Sequence, residues 1–351
     1  MTTGLFTRII GALALAGTVL TPVSAARADS LESAFDQTLG TEQRAPLPTG
    51  PILPPTAQPF VQPPAPRIAG SGLEAMLASV APADQGRIGV AAIDLTSGRT
   101  VTVLGDQPFP MASTSKIAIV ATFLDLVDRG KFRLTDQFPL MVPVPSGKYS
   151  TAVAPVRRGQ MMSAQGLIEL TITRSDNQAT DALLAAVGGP AAVNRWLKQA
   201  GITGMRLDRD IATLVRDDGE VNPATTVDAR DSATPLAMVR LISGLYRGEW
   251  LSPASRAVLI GAMERCETGK RRIRGQLPEG TRVAHKTGTL SNTASDVGII
   301  HTPDGRVIVV AIYVTGQGSK RGRDERIATI ARALYDGYLI EGSSVRRSAL
   351  K

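Results

Sequence analysis

The chain has 351 residues, which is enough for one large domain or two closely packed ones with an ample core. Hydrophobic residues make up 43% and charged residues 20%, a balance typical of a globular protein. Aromatic residues are only 4%, which argues against base-stacking nucleic-acid binding despite a formal charge of +8, so no nucleic-acid partner is expected. We interpret the basic clusters at residues 270–274 and 320–323 as solvated helix ends and loops.

The first 28 residues have the pattern of a secretory signal peptide. Arg8 precedes an apolar run over residues 9–20, and small residues with cleavage signals ending at Ala25 and Ala28 follow it. The run is too short for a confident membrane span, so the mature protein is expected to be exported to a periplasm and not to span the membrane. Cys266 is the single cysteine, so no intrachain disulfide can form.

Residues 29–70 do not have the composition of a folded core. Prolines recur from Pro46 to Pro66, and a segment of this kind prefers extended geometry and acts as a semi-rigid spacer. The sequence therefore predicts a disordered linker here, with the folded part beginning near Leu73.

The folded part starts and ends with strand-like runs and has helical periodicity between them. Strands are predicted over residues 87–95, 99–105, 282–289, 295–301 and 306–315. Helices are predicted from Ser113 to Gly130 and over residues 163–173, 178–187, 190–200, 234–246, 253–266 and 324–340, with an irregular stretch over residues 201–230.

This order predicts an α+β fold. One antiparallel sheet of about five strands is built from both ends of the chain and flanked by helices, and an all-α domain is inserted in the middle. We assign residues 71–342 to this catalytic domain, with residues 71–110 and 280–342 in its α/β part, residues 111–279 in its helical part and a tail over residues 343–351. A site is expected in the crevice between the two parts.

Three short motifs carry the chemistry. In the first, Ser113 stands at the start of a helix, where free backbone N–H groups favour a developing anion, and Lys116 lies one turn further on. A serine hydroxyl becomes a nucleophile when a neighbouring base takes its proton, and a lysine with a lowered pKa is such a base. Alone, the motif is equally typical of a helix cap followed by a solvated lysine.

The second and third motifs follow in order. Ser175 and Asn177 flank Asp176 in a break between two helices, where a hydroxyl is able to relay a proton and an amide both donates and accepts. Lys286-Thr287-Gly288-Thr289 lies on the first late strand, where the lysine supplies positive charge and Gly288 permits close backbone approach.

Together, in this order and on these elements, the three motifs resemble those of class A serine β-lactamases and penicillin-binding proteins. The resemblance to class A extends over about residues 73–340. Arg209 and Asp231 match the arginine and aspartate that pair to close the omega loop of the class A family.

The resemblance implies a role for each motif residue. Ser113 is the acylated nucleophile, Lys116 accepts its proton, and Ser175 passes a proton to the leaving β-lactam nitrogen. Asn177 hydrogen-bonds the substrate's side-chain amide, and Lys286 and Thr287 hold its carboxylate. The backbone N–H groups of Ser113 and Thr289 form the oxyanion hole, beside Gly288.

The chain departs from the family in three places. Ala112 precedes the nucleophile, and His285 precedes Lys286, where we interpret it as packing or making a local hydrogen bond. The third departure concerns the omega-loop glutamate, the accepted base for hydrolysis of the acyl-enzyme. Counting forward from Arg209 places Ile211 there, which has no proton chemistry.

Counting back from Asp231 gives a better alignment of the omega loop. Asn222 then matches the loop asparagine of the family, a substrate-binding position, and Asp218 takes the place of the glutamate. Glu220 is the alternative base. A merely solvated acidic loop is a further interpretation of the same residues.

The leading hypothesis is an exported serine hydrolase that opens β-lactams through a Ser113 acyl-enzyme, acting as a monomer without a cofactor or metal. One alternative is a penicillin-binding-protein-like acyltransferase or peptidase that acts on D-Ala-D-Ala peptides of peptidoglycan and deacylates slowly. Another is a non-catalytic module that binds β-lactams or peptidoglycan.

Overall fold

The computed structural model describes residues 57–59, 72–83 and 85–349, with side chains to residue 342. Its helices are α1 Gly72–Val80, α2 Lys116–Asp128, α3 Ala164–Thr173, α4 Asn177–Val187, α5 Pro190–Gln199, α6 Ile211–Arg216, α7 Pro235–Arg247, α8 Pro253–Glu264 and α9 Lys320–Ala349, with 3-10 turns at Ala112–Ser115 and Ile273–Gln276. Its strands are β1 Ala57–Pro59, β2 Ile88–Asp94, β3 Thr100–Val103, β4 Phe109–Pro110, β5 Gln137–Pro143, β6 Val156–Ser163, β7 Met205–Arg206, β8 Thr226–Asp228, β9 Ser232–Ala233, β10 Arg282–Leu290, β11 Thr293–His301 and β12 Val307–Thr315.

The main sheet has five antiparallel strands in the order β10–β11–β12–β2–β3. Strand β2 from the beginning of the folded part pairs with β12 from its end, so the prediction of one sheet built from both ends of the chain is confirmed. Strand β10, which carries the third motif, lies at an edge of the sheet.

Two apolar clusters lie on opposite faces of this sheet, because successive side chains of a strand point to opposite faces. On β12, Val310 and Ile312 pack with α1 and α9, whereas Val309 and Ala311 pack with the helical part of the chain. Helix α2 runs through the helical part and is buried on every side from Lys116 to Leu124.

The predicted helical middle also contains strands. Strands β5 and β6 form a two-stranded hairpin, β4, β9 and β7 form a small sheet, and helix α6 lies in the stretch predicted to be irregular. The prediction missed α6 because its six residues are too few to show helical periodicity.

The proline-rich segment departs from its prediction at three residues. Strand β1 pairs antiparallel with β8, with Gln58 opposite Val227. These residues are therefore not a free spacer, and the rest of the predicted linker and the signal peptide lie outside the described residues. At the other end, the backbone of α9 continues to Ala349, beyond the predicted domain limit at residue 342.

Two arginines of the basic clusters are not solvated as predicted. Arg272 is fully buried and pairs with Asp324 at 2.6 Å, and Arg323 donates to the carbonyl oxygens of Gly316 and Gly318. Within the described part of the chain, no helix is both long and apolar enough to cross a membrane.

Candidate active site

The turn that carries Ser113 is held from two sides. Its residue Ala112 has a φ of 48°, a conformation uncommon for a residue with a side chain, so the surrounding structure has to impose it. The backbone N–H of Met111 donates to the carbonyl oxygen of Asp231 at 2.9 Å. Ser113 itself is partly exposed, which is compatible with its predicted role as the nucleophile.

Asp231 connects this turn to the omega loop. Its carboxylate accepts hydrogen bonds from the backbone N–H groups of Asp208 and Arg209 and pairs with the Arg209 guanidinium at 2.6 Å. The pairing of Arg209 with Asp231 that the sequence implied is thus present. The same residue closes the loop and positions the strand that leads into Ser113.

Lys116 connects the first motif with the second. Its Nζ lies 2.5 Å from the carbonyl oxygen of Ser175, 3.2 Å from the Ser175 Oγ and 2.7 Å from the Asn177 Oδ1. A neutral amine satisfies this geometry by donating to the carbonyl and amide oxygens and accepting from the hydroxyl.

Electrostatics favour the neutral form of this lysine. The side chain is fully buried, and burial together with the charge of Lys286 lowers the pKa of Lys116 well below its ordinary value, although Asp176 and Asp181 oppose this. A lysine with a lowered pKa is able to accept a proton from a serine hydroxyl, which is the role predicted for it.

The break before α4 presents Ser175 and Asn177 to Lys116. Asp176 caps the helix, since its Oδ1 accepts from the backbone N–H of Ala179 at 2.8 Å, and Ser175 has a φ of 59°. The cap and this left-handed residue turn both the Ser175 carbonyl and its hydroxyl toward Lys116.

Strand β10 lies against the Ser113 turn because Gly288 has no side chain. A Cβ at this position would come within 2.7 Å of the Met111 carbonyl oxygen and 3.0 Å of the Ala112 Cβ. Gly288 thus permits close contact between β10 and the turn that carries Ser113, where the sequence predicts an oxyanion hole formed by the backbone N–H groups of Ser113 and Thr289.

The lysine and threonines of β10 have partners inside the protein. Lys286 is fully buried, and its Nζ donates to the Thr287 carbonyl oxygen at 2.9 Å. Arg272 donates to the Gly288 carbonyl oxygen at 3.0 Å and to the Thr289 Oγ1 at 2.7 Å. The sequence reasoning missed Arg272, which supports the strand from behind, since we read its basic cluster as solvated.

Asp218, the first candidate base, is held by backbone N–H groups of its own loop and of the turn after β10. Asp218 accepts from the backbone N–H groups of Ser291, in the turn after β10, and of Gly219, both at 2.8 Å. Burial raises its pKa, although these bonds and the charges of Lys148 and Arg209 oppose the shift. A pocket lies beside it, lined by residues that include Pro110, Asp218, Glu220, Arg230 and Ser291.

The other two loop candidates are also held by protein groups. Glu220 accepts a hydrogen bond from the Tyr149 hydroxyl, and the Asn222 Oδ1 accepts from the Asn292 side chain at 2.9 Å. The neighbouring Asp217 is buried in an ion pair with Arg216 at 2.7 Å. None of these side chains is hydrogen-bonded to Lys116 or Ser175, and Ile211, at the forward-counted position, is buried and apolar.

Asp181 is a residue of this site that the sequence reasoning missed. It lies on the buried face of α4, and its two oxygens accept from the backbone N–H groups of Ile211 and Ala212, both at 2.8 Å. Burial raises its pKa to about 7, and its charge acts on Lys116. An acidic residue on the apolar side of a helix was the available signal.

A partly exposed serine three residues before a buried lysine, a second serine on a helical break and a lysine-bearing edge strand together define a serine hydrolase built on the β-lactamase fold. The chain belongs to the β-lactamase enzyme family, whose model matches residues 72–338. Within residues 57–59, 72–83 and 85–349, no group of His, Cys, Asp and Glu could hold a metal ion.

Known proteins of this family are similar over most of the chain. β-Lactamase VEB-1 of Pseudomonas aeruginosa is 27% identical over 274 residues, 74% of this chain and 88% of the relative. The structure of the class A β-lactamase of the last common ancestor of Gram-negative bacteria is 37% identical, with a TM-score of 0.65, over 76% of this chain and 100% of that one. A β-lactamase of Chitinophaga pinensis is 28% identical, with a TM-score of 0.64, over 76% and 97%.

Proposed function

We propose that the protein is an exported class A-type β-lactamase that hydrolyses β-lactams through an acyl-enzyme on Ser113. The observation that carries the proposal is the contact of the buried Lys116 Nζ with both Ser175 and Asn177. Because of this contact, Lys116 of the first motif is able to pass a proton to Ser175 of the second. Gly288 allows the strand of the third motif to lie against the turn that carries Ser113.

In the first half of the reaction, Lys116 takes the proton of Ser113 as the hydroxyl oxygen attacks the lactam carbonyl carbon. The backbone N–H groups of Ser113 and Thr289 stabilise the oxyanion. Ser175, at 3.2 Å from the Lys116 Nζ, passes the proton on to the lactam nitrogen as the ring opens.

The substrate contacts of this proposal are those that the resemblance to class A implies. Lys286 and Thr287 hold the carboxylate of the lactam, and Asn177 hydrogen-bonds its side-chain amide, with Asn222 at the omega-loop side. In the second half of the reaction, water attacks the ester carbonyl carbon and a carboxylate of the omega loop accepts its proton; the bond from this carbon to the Ser113 oxygen then breaks, and the serine oxygen regains a proton. Asp218 is our first candidate for this base and Glu220 the alternative.

Export is the second part of the proposal. The basic, apolar and small-residue succession of residues 1–28 supports it, and a β-lactam has to be destroyed before it reaches targets outside the cytoplasmic membrane.

Intact-mass measurement after addition of a penicillin tests both parts. We expect a mature chain that begins at Ala26 or Asp29, and a penicillin adduct that appears and then decays. Ser113→Ala should form no adduct while it keeps the circular dichroism spectrum of the wild type.

Other outcomes would redirect the assignment. An adduct that never decays indicates the penicillin-binding type of acyltransferase. An adduct on another serine, or no adduct at all, contradicts the proposed nucleophile.

A further inference from the structure

A second cluster of reactive side chains lies behind β10. Cys266 is 5% exposed, and its sulfur is 3.3 Å from the Thr268 Oγ1. The same Thr268 hydroxyl lies 2.6 Å from the Oγ1 of Thr287. A continuous chain of hydrogen bonds therefore connects the buried thiol with a residue that we expect to hold the substrate carboxylate.

His285 completes the cluster. The ring is fully buried, and its Nδ1 is 2.9 Å and 3.0 Å from the two carboxylate oxygens of Asp296, which is also fully buried. Since a carboxylate only accepts, Nδ1 carries a proton. The Nε2 has no hydrogen-bond partner among the described residues, and the ring lies near enough to Cys266 for the charges of the two groups to interact.

Charges favour a thiolate beside an imidazolium. Burial opposes both ionisations, yet the positive charges of His285 and Lys286 lower the pKa of Cys266 to about 6. Asp296 and Cys266 in turn raise the pKa of His285 to about 9. The charged groups that act on the pair thus come from β10, in Lys286, and from β11, in Asp296.

The donors and acceptors in the hydrogen-bond chain from Cys266 to Thr287 depend on whether Cys266 is a thiol or a thiolate. A thiolate only accepts, so Thr268 donates to it, and the Thr268 oxygen then accepts the single hydrogen of the Thr287 hydroxyl. When Cys266 is a thiol, it donates to Thr268, Thr268 donates to Thr287, and the Thr287 hydrogen is available to a ligand. If the His285 imidazolium loses one proton and the Cys266 thiolate gains one, the direction changes without net proton uptake.

We propose that Cys266, Thr268 and His285 are positioning residues that set the direction of the Thr287 hydroxyl and thereby tune the affinity for the β-lactam carboxylate. The inference depends on the proposed function, because it assigns the carboxylate to Thr287. A bound carboxylate brings its own negative charge close to Thr287. Because a second negative charge on Cys266 is then less favourable, the bound carboxylate favours the thiol form of Cys266.

Two small substitutions test the proposal. Cys266→Ala removes the thiolate that accepts from Thr268, so Thr268 is left to donate to Thr287, and Thr268→Val breaks the hydrogen-bond chain; both should leave the Thr287 hydrogen available. We expect both to lower KM for a penicillin by about three- to tenfold at pH 7.5, which corresponds to one net hydrogen bond, with little change in kcat. The methyl ester of the same penicillin should show no such gain, because it has no carboxylate.

The single cysteine provides a direct readout. The ¹³Cβ resonance of labelled Cys266 should have the thiolate position in Ser113→Ala and move to the thiol position when the free acid, but not the ester, is added. A thiol resonance in the absence of ligand, or an unchanged ratio of kcat/KM between acid and ester in both variants, would overturn the proposal. Failure of the Ser113 adduct to form concerns the proposed function alone, so the two failures are distinguishable.

Discussion

At the scale of single residues, Asp218 is the first candidate for the base that would take a proton from the attacking water in the proposed deacylation. Asp218→Asn preserves size and hydrogen bonding but cannot accept a proton. We expect deacylation to slow by about 10²–10⁴-fold, the usual contribution of a general base, while acylation of Ser113 is nearly unchanged. Stopped-flow measurement with a chromogenic cephalosporin should then show a burst followed by a slow phase.

Glu220→Gln is the matched control for Asp218→Asn, because it removes the other loop carboxylate of the candidate pair. A slow phase in this variant instead would transfer the role to Glu220. If both variants keep the wild-type rate after the burst, the omega loop does not supply the base.

Asp181 should make the stability of the protein depend on pH. Burial raises its pKa in the folded state from 3.8 to about 7, so the folded state binds more protons than the unfolded state between these values. Raising the pH through this window therefore lowers the free energy of unfolding. Asp181→Asn removes this titration, at the cost of one acceptor for the N–H groups of Ile211 and Ala212.

Urea denaturation of Asp181→Asn and the wild type at pH 5 and pH 8 measures this effect. The stability of the variant relative to the wild type should improve by about 1–3 kcal/mol from pH 5 to pH 8. Other titrating groups are common to both proteins and cancel. A difference that is the same at both pH values would show that Asp181 is already ionised at pH 5.

At the scale of elements, the pairing of β1 with β8 connects the proline-rich segment to the omega loop. Asp228, the last residue of β8, pairs with Arg230 at 2.7 Å, and Arg230 lies 3.9 Å from Glu220. A short strand pair thus stabilises the part of the loop that holds a candidate base.

Removing this pairing should loosen the loop. The test is a comparison of a chain that begins at residue 29 with one that begins at residue 61, which lacks β1. Amide hydrogen exchange over residues 217–230 should be faster in the shorter chain. The melting temperature should fall by less than about 4 °C, since only three residue pairs are lost. Equal exchange at Thr226–Asp228 in both chains would show that β1 does not stabilise β8.

At the scale of the whole molecule, the two apolar clusters share one sheet. Because β12 and β2 contribute side chains to both clusters, unfolding either layer exposes the strands that support the other. The chain should therefore unfold in one cooperative transition, although it has two layers of helices and a helical insertion.

The two tryptophans provide the measurement. Trp196 and Trp250 pack against each other at 5.9 Å between ring centroids in the helical part, whereas far-ultraviolet circular dichroism reports on the whole chain. The two thermal transitions should coincide. A tryptophan transition at a lower temperature would mean that the helical part unfolds on its own.

Local sequence determines the order of strands and helices, several helix ends and the positions of the three motifs. Alternating and helical apolar patterns predicted the sheet from both chain ends, and the ends of α4 and α7 follow from Asp176, Thr234 and the glycines that terminate them. Motif spacing predicted Ser113, Lys116, Ser175 and Lys286, because each motif lies within one turn or strand and needs no knowledge of distant contacts.

Only the tertiary structure decided the remaining features, because they depend on residues far apart in the chain. Gly288 meets Met111, Asp181 holds the start of α6, and β1 pairs with β8. Folding excludes water from Arg272 and Cys266 and supplies their contacts: the Arg272 guanidinium donates to the Gly288 carbonyl oxygen, and Cys266 lies beside Thr268. No local pattern encodes that exclusion of water.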